Sequence, residues 1–345
     1  MDYKGYYKGK TILVTGGVGA IGSNLVRALA DAGAGTIIVL DDLSSSSLWN
    51  LPSVPGLLFV EGSVSDEIKL KRVFNERPDI VFHLAAFFAN QNSVDYPESD
   101  LEVNGLGTLR MLEYSVMNRV EKFVYASSGC AIYGAENPLP FKEDFISMHL
   151  TTPYQITKML GELYSNFFMH HHGLKIVKPR FFNSYGPGEI PGQYRNVIPN
   201  FIYWALSGKP LVITGTGKET RDFTWVGDIN DGLLRAGAFE EAVGEEFNLA
   251  SGQEVEIGNL AEMVVEMTGS TAGIEYGERR AWDTKSRLLA SVEKARGLIG
   301  YDPGHVPFEE GLRLTVEWVK GHWDLIRHDA SFTPGVSSAN RKVRT

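Results

Sequence analysis

Residues 11–22 read TILVTGGVGAIG. The first five, Thr11 to Thr15, are a β-branched run of strand character. Three glycines follow at positions 16, 19 and 22, and a helical pattern runs from Ile21 to Ala32. A strand that turns through glycines into a helix brings free N–H groups and the positive helix end to one point, where a pyrophosphate can sit. Thr36 to Leu40 (TIIVL) is the next strand, and it ends in Asp41-Asp42. An acid at that place accepts hydrogen bonds from an adenosine ribose and repels a 2′-phosphate, so NAD is favoured over NADP. Asp42 can share the role.

Working outward, Leu57–Val60, Ile80–Leu84, Phe123–Ala126 and Ile176–Arg180 read as further strands. Helical stretches such as 69–75 and 107–117 lie between them. Buried runs separated by helices predict an α/β fold with a doubly wound parallel sheet, a Rossmann domain over residues 1–182. After Asn183 the texture changes. Pro187, Pro191, Pro199 and Pro210 break the chain into loops and short helices. Asn248–Ala250 then reads as a strand and Ile257–Thr268 as a helix. The expected division gives 225–262 back to the first domain. Residues 183–224 and 263–327 form a smaller, interleaved substrate-binding part, and 328–345 a tail.

The chain has 345 residues, enough for a sizeable core without staples. Cys130 is the single cysteine, so no intrachain disulfide forms, which suits a reducing cytoplasm. A net charge of −9 argues against a nucleic-acid partner. No apolar run approaches the roughly 20 residues of a membrane helix, and residues 1–10 lack the apolar core of a signal peptide. The adjacent His170, His171 and His172 point in different directions on a helix end, with no acid or cysteine cluster beside them, so no metal is expected.

The YQITK run, Tyr154 to Lys158, opens a helical pattern and puts its two ends on one helix face. A lysine and a positive nicotinamide ring held near a tyrosine favour phenolate. The phenolate can then take a proton from a substrate hydroxyl as hydride leaves.

The GxxGxxG spacing resembles the short-chain dehydrogenase/reductase superfamily. Six stretches sharpen the likeness: TGGVGAIG (15–22), HLAA (83–86), YASSGCAIYG (125–134), PYQITK (153–158), RFFNSYGPG (180–188) and ETRDFTWVGDI (219–229). Over nearly its whole length the chain is similar to extended members of that superfamily, the NAD-dependent epimerase/dehydratase family. The resemblance implies a cofactor cleft of Gly16, Gly19, Ala20, Ile21, Gly22, Asp41 and Asp42. Ser63 and Val64 flank the adenine, Leu84, Ala85 and Ala86 line the cleft, and Asn104, Ser127, Tyr154 and Lys158 complete it. Asn104 also reads as a simple helix-kink residue. A nucleotide-diphosphate sugar is implied as substrate, held by Asn183 and Arg221 at the diphosphate with Arg287 as a second arginine. Asn196 and Val197 pack on the base, and Arg279, Arg280 and Trp282 are further candidates for that wall. A homodimer through paired helices is implied as well. Met159 and Leu163, beside the YxxxK residues, read as core or as that interface.

One position departs from the pattern. The family's catalytic Ser or Thr lies four residues before the tyrosine of the "YG" pair, and here that residue is Gly129. Either Ser128 takes the role through a one-residue shift or the hydroxyl is missing. Similar dehydratases carry an acidic pair, and similar uronate decarboxylases a glutamate, where this chain has Cys130 and Ala131. The expectation is therefore 4-epimerisation: hydride leaves C4, the ketose turns, and hydride returns to the other face. The alternatives are a 4-keto-sugar reductase, a 3,5-epimerase using Cys130 as acid/base, another dehydratase or decarboxylase, and a non-catalytic NAD-binding sensor.

Overall fold

In the computed structural model, which describes residues 3–134, 138–280, 283 and 285–332, the opening run forms β1 (Thr11–Thr15). It leads through the glycines into α1 (Ala20–Asp31), then β2 (Thr36–Asp41), β3 (Leu57–Glu61) and α2 (Glu67–Phe74). β4 (Ile80–His83), α3 (Thr108–Met117) and β5 (Lys122–Tyr125) follow. The two-residue strand β6 (Ser127–Ser128) leads into the short turn of helix α4 (Gly129–Ile132), and α5 (Pro153–His172) precedes β7 (Ile176–Phe181). The main sheet is parallel with order β3-β2-β1-β4-β5-β7-β8, where β8 is Glu246–Leu249 and β6 pairs with β7. The order reverses between β1 and β4, the place where doubly wound sheets open a crevice at the carboxyl ends of their strands.

Alternation along β1 supplies both faces of this sheet. Ile12 and Val14 pack with Leu25, Val26 and Leu29 of α1 and with Ile229 and Leu233. Leu13 faces the other way, against Leu70, Val73, Met111 and Leu112. Burying such side chains on both faces explains why these strands read as near-continuous apolar runs.

A second core joins α6 (Val197–Leu206), α8 (Ile257–Thr268) and α9 (Phe308–Gly321) through Ile198, Phe201, Leu260, Val264, Leu312 and Val316. Between α6 and α8, α7 (Val226–Ala238) and β8 return to the first core, as does Leu288–Tyr301. Residues 257–262, expected with the returning segment, pack instead in the second core with the rest of their helix, because Leu260 and Ala261 find their partners there. Residues 288–301, expected in the smaller part, add Leu288, Ala290, Val292 and Ile299 to the first. Of the expected tail, residues 333–345 lie outside the described residues. Among the described residues no helix is long and apolar enough to cross a membrane.

Candidate active site

A cleft of about 930 Å3 runs along the carboxyl ends of the strands and continues between the two cores. That is toward the upper end for a small-molecule site. Its first half is backbone. Gly16 turns with φ +69°, and a Cβ there would lie 2.8 Å from the Ala85 nitrogen. A Cβ on Gly22 would lie 2.1 Å from the Gly16 carbonyl oxygen. Only glycine lets the loop and α1 close this tightly. α1 begins at Ala20 with no side-chain cap, so its first-turn N–H groups are not taken by a side chain. Asp41 is buried, and its carboxylate accepts N–H bonds from Val18 and Leu43, each 2.9 Å. Burial nonetheless pushes its pKa up. Gly19, Ile21, Asp42, Ser63, Val64, Leu84, Ala85 and Ala86 line the same half. A cradle without side chains, an uncapped helix start and a fixed acid at the end of β2 fit a dinucleotide.

Asn104 does not line this cleft. It is buried in a π-helical turn, Leu101–Gly107, where the wider helix aims its amide sideways. There it bonds Phe87 through both its N–H (2.8 Å) and its carbonyl (3.2 Å), and donates to Asp100 at 2.7 Å. It holds the lining segment after Ala86.

Beyond the glycines lie β6, α4 and the start of α5. Thr152 accepts a bond from the Gln155 N–H, Pro153 opens the helix and Gly173 closes it in a left-handed turn. This cap places Tyr154 in the first turn and Lys158 one turn on. The Lys158 ammonium donates to the Ala126 carbonyl at 2.9 Å and sits 5.7 Å from the Tyr154 ring centre. Burial lowers the Lys158 pKa to about 8, against a smaller opposing effect of Asp100. The Tyr154 phenol is pushed well above its ordinary value by burial, and then by Cys130 and Asp100. The one group that pulls it down is the Ser128 hydroxyl, hydrogen-bonded to it. Lys158, expected from sequence to lower this pKa, is not among the groups that shift it in the protein alone.

The two serines of β6 divide their tasks. Ser127 donates to Glu162 at 2.5 Å. Glu162 is clamped by Arg180 through two bonds of 3.0 and 2.9 Å, and Arg180 continues to Tyr133. This buried network ties α5 to β6 and β7. Ser128 is left for Tyr154. At Gly129 a Cβ would lie 2.1 Å from the Phe182 ring. A hydroxyl residue therefore has no room at the position reached by counting back from Tyr133. Cys130 lines the cleft, and burial pushes its thiol up to about 11, so it stays protonated at neutral pH.

The second half is built from side chains on distant segments. Asn183 donates to the Asp222 carbonyl at 3.2 Å. Asn196 precedes α6 and donates to Glu189 at 2.9 Å, and Val197 is the first residue of that helix. Burial raises the Glu189 carboxyl to about 7, against the lowering effect of Arg195 and Asn196. The Nη2 of Arg221 donates to both carboxylate oxygens of Asp283, each at 3.0 Å. All of these except Asp222 line the cleft, as do Arg280 and Lys285. Arg287 does not: it is 55% exposed and paired with Glu254. The arginines of the lining besides Arg221 are Arg195 and Arg280. Arg279 is outside the lining, and Trp282 lies outside the described residues. Sequence reasoning did not find Lys285, Glu189 or Phe332. Phe332 lines the cleft while stacked on Tyr203 at 5.2 Å, and the adjacent Ser331 carbonyl accepts the Gln193 N–H. Its signal, an aromatic residue in a Ser- and Pro-rich stretch, is visible only once the chain is folded.

The sequence model of the NAD dependent epimerase/dehydratase family matches residues 12–250. The chain belongs to this family. It is an NAD-dependent enzyme of nucleotide-sugar modification, and NAD is the family's cofactor. The UDP-glucose 4-epimerase of Mycolicibacterium smegmatis is 33% identical over 89% of this chain and 98% of its own length. The solved structure of the epimerase Mth375 from Methanothermobacter thermautotrophicus is 55% identical, with a TM-score of 0.95 over 96% of this chain and 98% of that one. That of the UDP-glucose 4-epimerase of Thermotoga maritima, with UDP-glucose, is 36% identical, with a TM-score of 0.85 over 91% and 99%.

Proposed function

We propose that this family member is a nucleotide-sugar 4-epimerase. The observation that carries the reading is the pairing of Ser128 with Tyr154 in a part of the cleft that no uncommitted carboxylate shares. Among the described residues, the acids of the lining are engaged elsewhere. Asp41 is held by backbone N–H groups, Asp42 by Ser44, Glu102 by Ser65, Glu189 by Asn196, Glu219 by the turn at Thr216–Gly217, and Asp283 by Arg221. Dehydration needs a further acid and base beside the tyrosine. Epimerisation needs one group that takes and returns a single proton. Bound NAD supplies the hydride acceptor and, once reduced, the donor.

The residues then divide the work. Ser128 orients the sugar hydroxyl and, by bonding the Tyr154 oxygen, favours its charged form. Tyr154 takes the hydroxyl proton and returns it when the opposite face is presented. Lys158 holds its charge next to the tyrosine, anchored by the Ala126 carbonyl. Arg221 and Arg280 suit the diphosphate, since guanidinium groups match its oxygens. The relatives named for UDP-glucose make UDP-sugars the first substrates to try. A homodimer through α5 is part of the reading. Met159 is buried within the subunit, whereas Leu163 (56% exposed), Phe167, Ile156 and Leu101 form an uncovered apolar face.

The test is to incubate the protein with NAD and UDP-, GDP-, CDP- and dTDP-sugars and follow product mass and the C4 proton by NMR. Unchanged mass with an inverted C4 supports the reading. Loss of water or carbon dioxide, or stoichiometric consumption of reduced cofactor, contradicts it.

A further inference from the structure

Among the described residues five cations line the cleft: Lys158, Arg195, Arg221, Arg280 and Lys285. Arg221 is committed to Asp283 and the Thr220 carbonyl, Arg195 to the Ser45 carbonyl, and Lys158 to the Ala126 carbonyl. Arg280, the other arginine of the lining, has Asp283 as a favourable neighbour. Lys285 shares Asp283 as a favourable neighbour, with Arg221 opposing it, but makes no ion pair with it. Among the described residues its ammonium has one hydrogen-bond partner, the neutral Cys130 carbonyl at 2.8 Å, and no carboxylate within 4.0 Å. It lies 5.6 Å from the Phe141 ring centre, and its cleft position lowers its pKa to about 8 by desolvation. An ammonium offers three donors, and taking it out of water unpaired is costly.

The place of this amine is as informative as its lack of a partner. Cys130 comes two residues after Ser128, and its side chain is an electrostatic neighbour of both Tyr154 and Lys285. Lys285 therefore stands between Cys130, on the Tyr154 side of the cleft, and Arg221. A hexose that presents its 4-hydroxyl to Tyr154 carries its C6 substituent only two bonds from C4. A hydroxymethyl group there leaves the ammonium without a carboxylate in hydrogen-bond contact, whereas a uronate carboxylate supplies one through charge-assisted hydrogen bonds.

We propose that Lys285 recognises a carboxylate carried by the sugar, so that the preferred substrate is a nucleotide uronate rather than a nucleotide of a neutral hexose. The proposal rests on the 4-epimerase reading, and it names the substrate class of that same site.

The experiment is calorimetric titration of the NAD-loaded full-length protein with UDP-glucuronate, UDP-glucose and UDP, for the wild type, K285M and K285R, with thermal melts to establish folding. The wild type is expected to bind UDP-glucuronate at least ~10-fold more tightly than UDP-glucose, the scale of one charged hydrogen bond. K285M brings that ratio to about one, and K285R restores part of it. Two results overturn the proposal: no preference for the uronate in the wild type, or a K285M loss as large for UDP as for UDP-glucuronate, which puts the amine on the phosphates. The C4 NMR signal of the same samples judges the epimerase reading separately. Lys285-dependent preference for the uronate without inversion keeps the ligand assignment and removes the reaction. Inversion of UDP-glucose with no such preference does the reverse.

Discussion

The half of the cleft lined by Gly16, Gly22 and Asp41 is made of backbone, and the half lined by Arg221, Arg280 and Lys285 is made of side chains. The first comes from one stretch of chain. Its shape follows from which residues lack a Cβ and where a helix starts, so a substitution acts by steric collision. The second is gathered from segments around residues 183, 196, 221, 280 and 332. Its properties follow from which charge finds which partner, as the contrast between Arg221 on Asp283 and Arg287 on Glu254 shows. The Ser128–Tyr154–Lys158 group stands where the two halves meet.

That contrast can be broken or sharpened by substitution. The largest effect belongs to the junction. Tyr154→Phe removes the proton carrier and lowers turnover on the order of 10³-fold, the usual scale for a positioned acid/base, while leaving NAD affinity within a few-fold. Full turnover in steady-state assays of this variant ends the assignment.

On the backbone side, Gly22→Ala drives a Cβ to within 2.1 Å of the Gly16 carbonyl oxygen. It lowers stability by about 1–3 kcal/mol and weakens NAD binding, read by thermal melts with and without NAD. A variant that binds NAD as the wild type does would mean that the loop is not the cradle.

On the side-chain side, Arg221→Ala raises KM for the nucleotide sugar about tenfold, and Arg287→Ala changes it less than about twofold, because an exposed ion pair contributes little. Equal effects would erase the distinction between the two arginines.

The smallest effect is a pH slope. The Glu189 carboxyl is raised from 4.5 to about 7 in the folded protein. The folded chain therefore keeps its proton where the unfolded chain has lost it. The stability this contributes is fully present below about pH 4.5 and is lost as pH rises through 7. Denaturant melts of Glu189→Gln should lack this decline, about 3 kcal/mol at most. An unchanged slope would mean that Glu189 does not titrate there.

The same contrast explains what could be read before folding. β1, the glycines, β2 and Asp41 were legible because a parallel strand buried on both faces and a glycine-spaced turn leave local patterns. Element ends differ by a residue or two, as with β8, which begins at Glu246 rather than Asn248. Tyr154 and Lys158 were legible from helical spacing. Ser128 against Gly129 was not, because the deciding contact is the Phe182 ring, 53 residues further along. Arg287 was expected at the diphosphate and Arg280 in the wall around the base, and only the fold shows that Arg280 meets the cleft while Arg287 does not. Asn104 carries no local sign of its bond to Phe87, since a π-helical turn leaves the same residue pattern as an α-helical one.

The most direct test of the account is to run the reaction in deuterium oxide with unlabelled UDP-sugar, catalytic NAD and the wild-type protein, and to assign each ring position by NMR and mass. Hydride that leaves C4 and returns to C4 predicts an inverted C4 with no deuterium on carbon and no net reduced cofactor. Deuterium at C3 or C5, loss of water, or accumulation of reduced cofactor would contradict it.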